Sequence, residues 1–216
     1  MKLISLVAAA IVALGAAGAA TATTVDFDLR NPGGDVISDN STRVIAMSGG
    51  VTLTITGQAF SGGINGTGWT GNPTAWSNGV GLSSYHGDNH RVDGYYDEYL
   101  ALSFSEAVDL TSLTFAYANR SDNWRVLSGT FADFTFEDSG WLPSGNGWGS
   151  SVATVGVDSD AIGQFFLVGT TGNHSAWKLQ GLSVDLAPVP LPASALLLLA
   201  GVGGLAALRR RQTAAA

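Results

Sequence analysis

The chain has 216 residues, no cysteine and a formal net charge of −7. Without cysteine it has no disulfide, no cysteine nucleophile and no thiolate ligand for zinc or an iron–sulfur cluster. All 17 acidic residues but only six basic ones stand between Thr23 and Pro188, and because this excess repels phosphate backbones, we expect no nucleic-acid partner.

The N-terminus predicts an export signal over residues 1–22. Lys2 provides a positive start and Leu3–Leu14 is apolar. Ala20 and Ala22 form the small-x-small pattern that a signal peptidase cleaves. We therefore expect a signal-peptide helix that is removed after Ala22, with Ala20 as the alternative position.

Residues 23–187 predict one all-β domain. Apolar residues recur at every second position in several segments, and no segment shows a helical stripe. Clusters of Gly, Asn, Ser and Asp between these segments are typical of turns. We predict an antiparallel β-sandwich, jelly-roll-like, of about eight to ten strands. The alternating segments are, in chain order, Val25–Leu29, Val51–Ile55, Leu100–Phe104, Leu113–Tyr117, Phe134–Phe136, Phe165–Val168 and Leu179–Leu186.

Tryptophan is concentrated in segments rich in Gly, Asn and Ser. One of these, Ser61–Asn78, lacks periodicity and predicts a long loop or loosely paired strands over one face. An exposed indole there could stack on a sugar, whereas a buried one would cover the core, as tryptophan usually does. The candidates for sugar stacking are Trp69, Trp76, Trp141 and Trp148.

The densest polar stretch runs from residue 86 to residue 110 and suggests a cation site. Hard cations prefer oxygen ligands, and an exported acidic domain meets abundant calcium. The spacing does not fit an EF-hand, because Arg91 would occupy a ligand position. The sequence therefore allows a calcium site if the loop curls, with a solvated acidic loop as the alternative. The five oxygen donors are Asp88, Asn89, Asp93, Asp97 and Glu98.

The sequence gives less support to a zinc site or to a catalytic function. His86 and His90 have the spacing of a zinc pair, but Gly87 and its neighbours disfavour the helix that would align them. Glycoside hydrolysis needs two facing carboxylates, and any acidic domain offers as many. No Gly-x-Ser-x-Gly elbow is present. We expect a protein that is not an enzyme, with a carbohydrate-active enzyme as the alternative. Carboxylates for that alternative are Asp97, Glu98, Glu106, Glu137 and Asp138.

The C-terminal residues 188–216 predict a processing signal. Three alternating prolines keep the chain extended before the uncharged segment Ala193–Leu208. That segment would span roughly 24 Å as a transmembrane helix. Arg209, Arg210 and Arg211 follow it and would stay on the cytoplasmic side of the membrane.

The motif Val189-Pro190-Leu191-Pro192-Ala193, followed by the apolar segment and the arginines, resembles the VPLPA variant of the PEP-CTERM sorting signals of Gram-negative bacteria. The resemblance implies that an inner-membrane exosortase recognises and cuts the motif. It also implies release or transfer of the protein to the cell surface or the extracellular polysaccharide matrix.

A second segment resembles PEP-CTERM sandwich proteins. The matching positions are Val92-Asp93, Glu98, Leu100–Phe104 and Val108–Leu110, with Gly94 where that pattern has asparagine. This resemblance implies a fold and a cellular location more than a biochemical activity.

Together these features predict an exported, structural or adhesive protein of the exopolysaccharide or biofilm. Its partners would be signal peptidase and exosortase during export, and then extracellular polysaccharide. Two alternatives remain open: a carbohydrate-binding or carbohydrate-active secreted protein, and a single-pass membrane-anchored protein that is never cut.

Overall fold

A computed structural model describes residues 22–40, 42–84, 90–143, 151–158, 161–170, 172, 175–187 and 201. Strands account for 68% of these residues, and all strand pairings are antiparallel. The prediction of an all-β, antiparallel fold is thus confirmed. Within the described ranges no helix is long and apolar enough to cross a bilayer. The predicted signal-peptide and transmembrane helices lie outside those ranges.

The residues Thr23–Ala187 form one compact unit. Its described part contains thirteen strands, more than the eight to ten expected, because several short strands carry too few residues to show alternation. The strands are β1 Thr24–Asp28, β2 Val36–Asp39, β3 Val44–Ser48, β4 Val51–Ser61, β5 Thr67–Trp76, β6 Gly79–Ser83, β7 Val92–Asp93, β8 Tyr99–Ala116, β9 Asn123–Thr130, β10 Asp133–Trp141, β11 Val152–Gly156, β12 Ile162–Gly169 and β13 Ala176–Leu186.

Strand β8 organises the sheet. It has 18 residues and pairs with β4 over its first half and with β13 over its second half. The other edge of β8 pairs with β12 and β11. The change from β4 to β13 falls between Phe104 and Val108, where the intervening residues are exposed. Hydrogen bonding also continues from β13 through β6 and β5 back to β4, so the path closes on itself.

The segment Ser61–Asn78 is more regular than its composition suggests. A turn follows β4, and β5 then covers Thr67–Trp76. The first half of β5 pairs with β4, and its second half pairs with β6. Of the two alternatives expected for this segment, a long loop or paired strands, the structure shows largely a paired strand. Its many Gly and Thr residues weaken the alternation without preventing backbone pairing.

Most strands contribute to one contiguous apolar core. The rings of Phe27 and Phe166 both pack edge-to-face on Phe104, with centroids 6.0 and 6.1 Å away. Trp177 is fully buried against Phe115, and its indole Nε1 donates to the Asn123 carbonyl at 2.9 Å. This anchoring fixes β13 next to the end of β8, where polar groups gather.

Candidate functional site

Strand pairing brings an isolated lysine close to an aromatic ring and an arginine. Lys178 on β13 stands opposite Ala116, the last residue of β8, and Tyr117 follows directly. Arg91 immediately precedes β7, whose Val92 pairs with Trp177, the neighbour of Lys178. Three segments far apart in sequence therefore meet at one lysine.

The β5–β6 hairpin supplies the remaining groups. Trp76 ends β5 and pairs with Gly79 across a two-residue turn that contains Asn78. A Cβ atom added at Gly81 of β6 would lie 2.0 Å from the backbone oxygen of His90. The glycine thus lets the segment before β7 lie directly on the hairpin. We call this group the Lys178 site; it comprises Trp76, Asn78, His90, Arg91, Tyr117 and Lys178.

The Lys178 amine is held between two aromatic rings. Its side chain is only 7% exposed, and Nζ lies 4.7 Å from the Trp76 ring centroid and 5.9 Å from that of Tyr117. These are cation–π distances. Among the residues that the structure describes, no carboxylate lies within ion-pair distance of this amine. Burial, with a contribution from the positive charge of Arg91, lowers the pKa of Lys178 to about 8.

A second cation shares the Tyr117 ring. The guanidinium carbon of Arg91 lies 4.4 Å from the ring centroid. Arg91 and Lys178 are two of only six basic residues between Thr23 and Pro188. Burial is the main cause of the lowered pKa of Lys178, and the like charge of Arg91 adds to it. Two of the few cations of this acidic domain therefore share one aromatic ring.

The backbone at this site is unusual for its residue types. Tyr117 has φ of 62° and His90 has φ of 57°, both in the left-handed region. Such a conformation costs a bulky residue about 1–3 kcal/mol and is concentrated at functional sites. Here the Tyr117 ring lies within cation–π distance of both cations, and the His90 ring packs on Trp76 at a centroid distance of 5.8 Å.

The site also contains an incompletely bonded amide. Asn78 Nδ2 donates a hydrogen bond to the Tyr117 hydroxyl, whereas Oδ1 of the same amide is buried and accepts none. Buried polar atoms are nearly always hydrogen-bonded, so an acceptor of this kind calls for a donor. Trp76 is 42% exposed and forms the solvent-facing edge. The site thus presents an aromatic surface and a half-buried arginine above a buried lysine and a buried amide oxygen.

Of the residues predicted to bind calcium, three lie in one tight turn and two fall outside the described residues. Asp93 and Glu98 are buried and close a tight turn: Glu98 Oε2 accepts from the Asp93 backbone N–H at 2.9 Å, and Asp93 Oδ1 accepts from that of Tyr95 at 3.0 Å. Asp97 lies in this turn with φ of 44°. Asp88 and Asn89 fall outside the described residues, and within the described ones no group of three or more acidic, His or Cys side chains is arranged to hold a metal. Calcium stays a prediction.

The tryptophans divide into buried and exposed sets. Trp124 and Trp177 belong to the core. Trp69 is half-buried and donates from Nε1 to the Ser84 carbonyl at 2.9 Å. Of the sugar-stacking candidates within the described ranges, only Trp76 and Trp141, the latter 69% exposed, face solvent. Trp148 lies outside those ranges.

The carboxylates considered for hydrolysis are spread over several elements. Glu106 is exposed on β8. On β10, Glu137 accepts from the Ser128 hydroxyl, and Asp138 Oδ2 accepts from the backbone N–H of Asp158 at 2.9 Å. These contacts link β10 to β9 and to the segment after β11.

The processing residues are mostly outside the described part of the chain. Ala22 is exposed just before β1. The others, Ala20, His86, Val189, Pro190, Leu191, Pro192, Ala193, Arg209, Arg210 and Arg211, lie outside it.

Sequence reasoning missed four members of the Lys178 site. Asn78, Arg91, Tyr117 and Lys178 show no motif, because strand pairing brings them together. One signal was readable: Lys178 is the sole lysine between Thr23 and Pro188, and it stands inside an apolar strand. Comparison of the chain with protein-family models, curated proteins and solved structures found no match.

Proposed function

We propose that this chain is an exported, non-enzymatic protein of the cell surface or extracellular matrix, whose β domain binds polysaccharide. The observation that carries the binding role is the Lys178 site, where a solvent-facing indole lies beside cationic and amide groups. Aromatic rings bind the apolar face of a sugar while neighbouring polar groups bind its hydroxyls. Such a module acts as an adhesive or structural link in exopolysaccharide or biofilm.

The finer architecture belongs to the same proposal. The strands form an antiparallel sandwich of jelly-roll type, with β8 passing from one sheet to the other. Its change of partner from β4 to β13 around Ser105 supports this, since strands that switch sheets bend at such corners.

The export route rests on the two ends of the chain. Signal peptidase removes residues 1–22, the apolar tail holds an inner-membrane intermediate, and an exosortase cuts at the VPLPA motif. Replacing Pro190 and Pro192 with alanine should leave full-length protein in the membrane. Intact masses from membrane and medium fractions measure this, and unchanged release of the variant contradicts processing. A retained C-terminus in wild-type protein would instead indicate the uncut membrane anchor.

The binding role is tested by retention of the purified full-length chain, in neutral detergent, on gels containing soluble polysaccharides. Trp76→Ala should lose most of the retention, while Trp141→Ala, which removes an equally large and more exposed indole from β10, should keep it. Loss with Trp141→Ala alone would move the binding surface to β10. Hydrolysis of the polysaccharide during the run would favour the carbohydrate-active enzyme.

Calcium at the loop that contains Asp88 and Glu98 is retained as a prediction with its own test. If an ion is held there, chelation should lower the melting temperature of the protein. Identical melting curves with and without calcium would remove the ion from the proposal.

A further inference from the structure

We propose that the Lys178 site selects sugars that carry a carboxylate, so that the ligand is an acidic polysaccharide. This inference rests on the proposed polysaccharide binding and specifies its substrate class. It follows from the charges, the unsatisfied amide and the exposed ring that the fold brings together.

The distribution of charged residues is the first argument for a carboxylate-bearing ligand. Over Thr23–Pro188 acidic residues far outnumber basic ones, so a polyanion is repelled from most of the domain. At the Lys178 site Arg91 and Lys178 both lie against the Tyr117 ring. An anion bound beside them would be attracted by both charges and would favour the protonated form of Lys178. A ligand carboxylate at the accessible edge formed by Trp76 and half-buried Arg91 would be attracted strongly by the buried Lys178 amine. The low-dielectric surroundings screen the charge of that amine only weakly.

The remaining groups indicate a sugar as the carrier of that anion. Asn78 Oδ1 is buried and accepts no hydrogen bond, and a rotation of this half-buried amide would bring the oxygen to a ligand hydroxyl. The Tyr117 hydroxyl, which accepts from Asn78, can donate to a ligand oxygen. Trp76 offers a ring for an apolar C–H face. A uronic acid residue carries a carboxylate, hydroxyls and an apolar face in one unit.

The ionisation of Lys178 makes the selectivity pH-dependent. In the described part of the chain, the titratable or charged groups near it are Arg91, His90 and Tyr117, and Asp122 lies within the field of Arg91. As pH rises through about 8, Lys178 loses its proton and one of the two cations disappears. Affinity for a carboxylate-bearing sugar should therefore fall between pH 7 and pH 9, while affinity for a neutral sugar should not change.

The test compares two forms of one polymer. Full-length protein in neutral detergent is titrated with polygalacturonate and with its fully methyl-esterified form, which keeps the backbone and masks the carboxylates. We expect at least tenfold tighter binding to the acidic form at pH 7. Poly-glutamate, a carboxylate polymer without sugar, should bind at least tenfold more weakly than polygalacturonate. Equal binding of poly-glutamate would mean recognition of charge alone and would overturn the proposal.

Variants tie the effect to this site. Lys178→Met keeps the length of the side chain without its charge and should bring the two polymer forms within about threefold of each other. Arg43→Gln removes one exposed cation elsewhere and should keep the tenfold difference. If Lys178→Met does not fold, Arg91→Gln and the pH titration of the wild type serve the same purpose. Selectivity that survives both Arg91→Gln and pH 9 contradicts the assignment.

The outcomes separate this inference from the proposed function. Equal binding of both polygalacturonate forms leaves polysaccharide binding intact and overturns only the carboxylate preference. Binding of neither form, and none to neutral dextran, overturns polysaccharide binding itself.

Discussion

Two groups of polar side chains adjoin the short strand β7 and make different kinds of contact. On its C-terminal side, Asp93 and Glu98 direct carboxylate oxygens at backbone N–H groups of their own turn. On its N-terminal side, Arg91 lies with Lys178 against aromatic rings, next to an amide oxygen that accepts no hydrogen bond. The acidic turn directs its carboxylates at its own backbone, whereas the Lys178 site places two cations against aromatic rings that are exposed or half-buried.

The difference teaches that the density of charged residues is a poor guide to function. The acidic stretch suggests a cation site from the sequence alone, because many oxygen donors lie close together there. Lys178 is a single charge among apolar residues, and no sequence pattern marks it as part of a site. What distinguishes the two groups is what the fold brings together: cations and solvent-facing aromatic rings at Lys178, but carboxylates and the backbone of their own turn at Glu98.

The largest expected effect tests the structural role of the acidic turn. Glu98→Ala should lower the free energy of unfolding by about 3 kcal/mol, because the buried Asp93 N–H loses its acceptor and a cavity remains. Glu98→Gln keeps an oxygen acceptor and should cost less. Denaturant unfolding measures both. A small loss with Glu98→Ala, together with loss of any stabilisation by calcium, would make the turn a metal site instead.

A change in the hairpin should affect the other group. Gly81→Ala places a Cβ 2.0 Å from the His90 backbone oxygen, so the segment that carries Arg91 must move. We expect about 2 kcal/mol of destabilisation and weaker polysaccharide retention. Gly156→Ala is the matched control, since an added Cβ there meets nothing within 4 Å. Equal effects of the two variants would contradict the close packing at Gly81.

Removing the buried charge should be stabilising. The folded-state pKa of Lys178 is about 8, below the ordinary value of 10.5, so between these values the unfolded chain binds more protons. Stability of the wild type contributed by this group therefore rises as pH increases through that window. Lys178→Met should raise the unfolding free energy at pH 7 by about 1 kcal/mol and remove the rise between pH 7.5 and 9.5. A Lys178→Met variant with the wild-type pH profile would show that the amine is well solvated.

The smallest effect concerns the Tyr117 hydroxyl. Tyr117→Phe keeps the ring beneath both cations and removes the partner of Asn78 Nδ2. Stability should fall by about 0.5–1.5 kcal/mol, the usual net value of one hydrogen bond. Thermal unfolding beside wild type measures it. No change would mean that water replaces the hydroxyl.

Alternation predicts much of the fold and little of the site. Val51, Leu53 and Ile55 are buried on β4 between less buried threonines, as their spacing indicates. The alternation predicts two separate strands, one around Leu102 and one around Leu113. Strand β8 is nevertheless continuous, because the exposed residues between them remain paired or extended. A pattern of period two identifies strands but carries no information on which strands pair.

The site depends on that missing information. Lys178 and Trp76, more than a hundred residues apart in the chain, meet through the pairing of β13 with β6. The positive φ of Tyr117 could not be predicted from the sequence either, since tyrosine rarely adopts that conformation. Trp76 was among the sugar-stacking candidates because its segment was polar and rich in turn residues, but its cationic neighbours follow only from tertiary structure.

Strand β13 has a mechanical consequence. It carries Lys178 near its start and ends at Leu186, immediately before the C-terminal segment. If a polysaccharide were held at Lys178 and the chain held at its C-terminal end, tension would run along roughly 26 Å of this strand. Over that length β13 is hydrogen-bonded to β8 on one edge and to β1 and β6 on the other. Load would fall on many backbone hydrogen bonds in shear at once, rather than on a loop, which is the arrangement that lets a short strand withstand pulling.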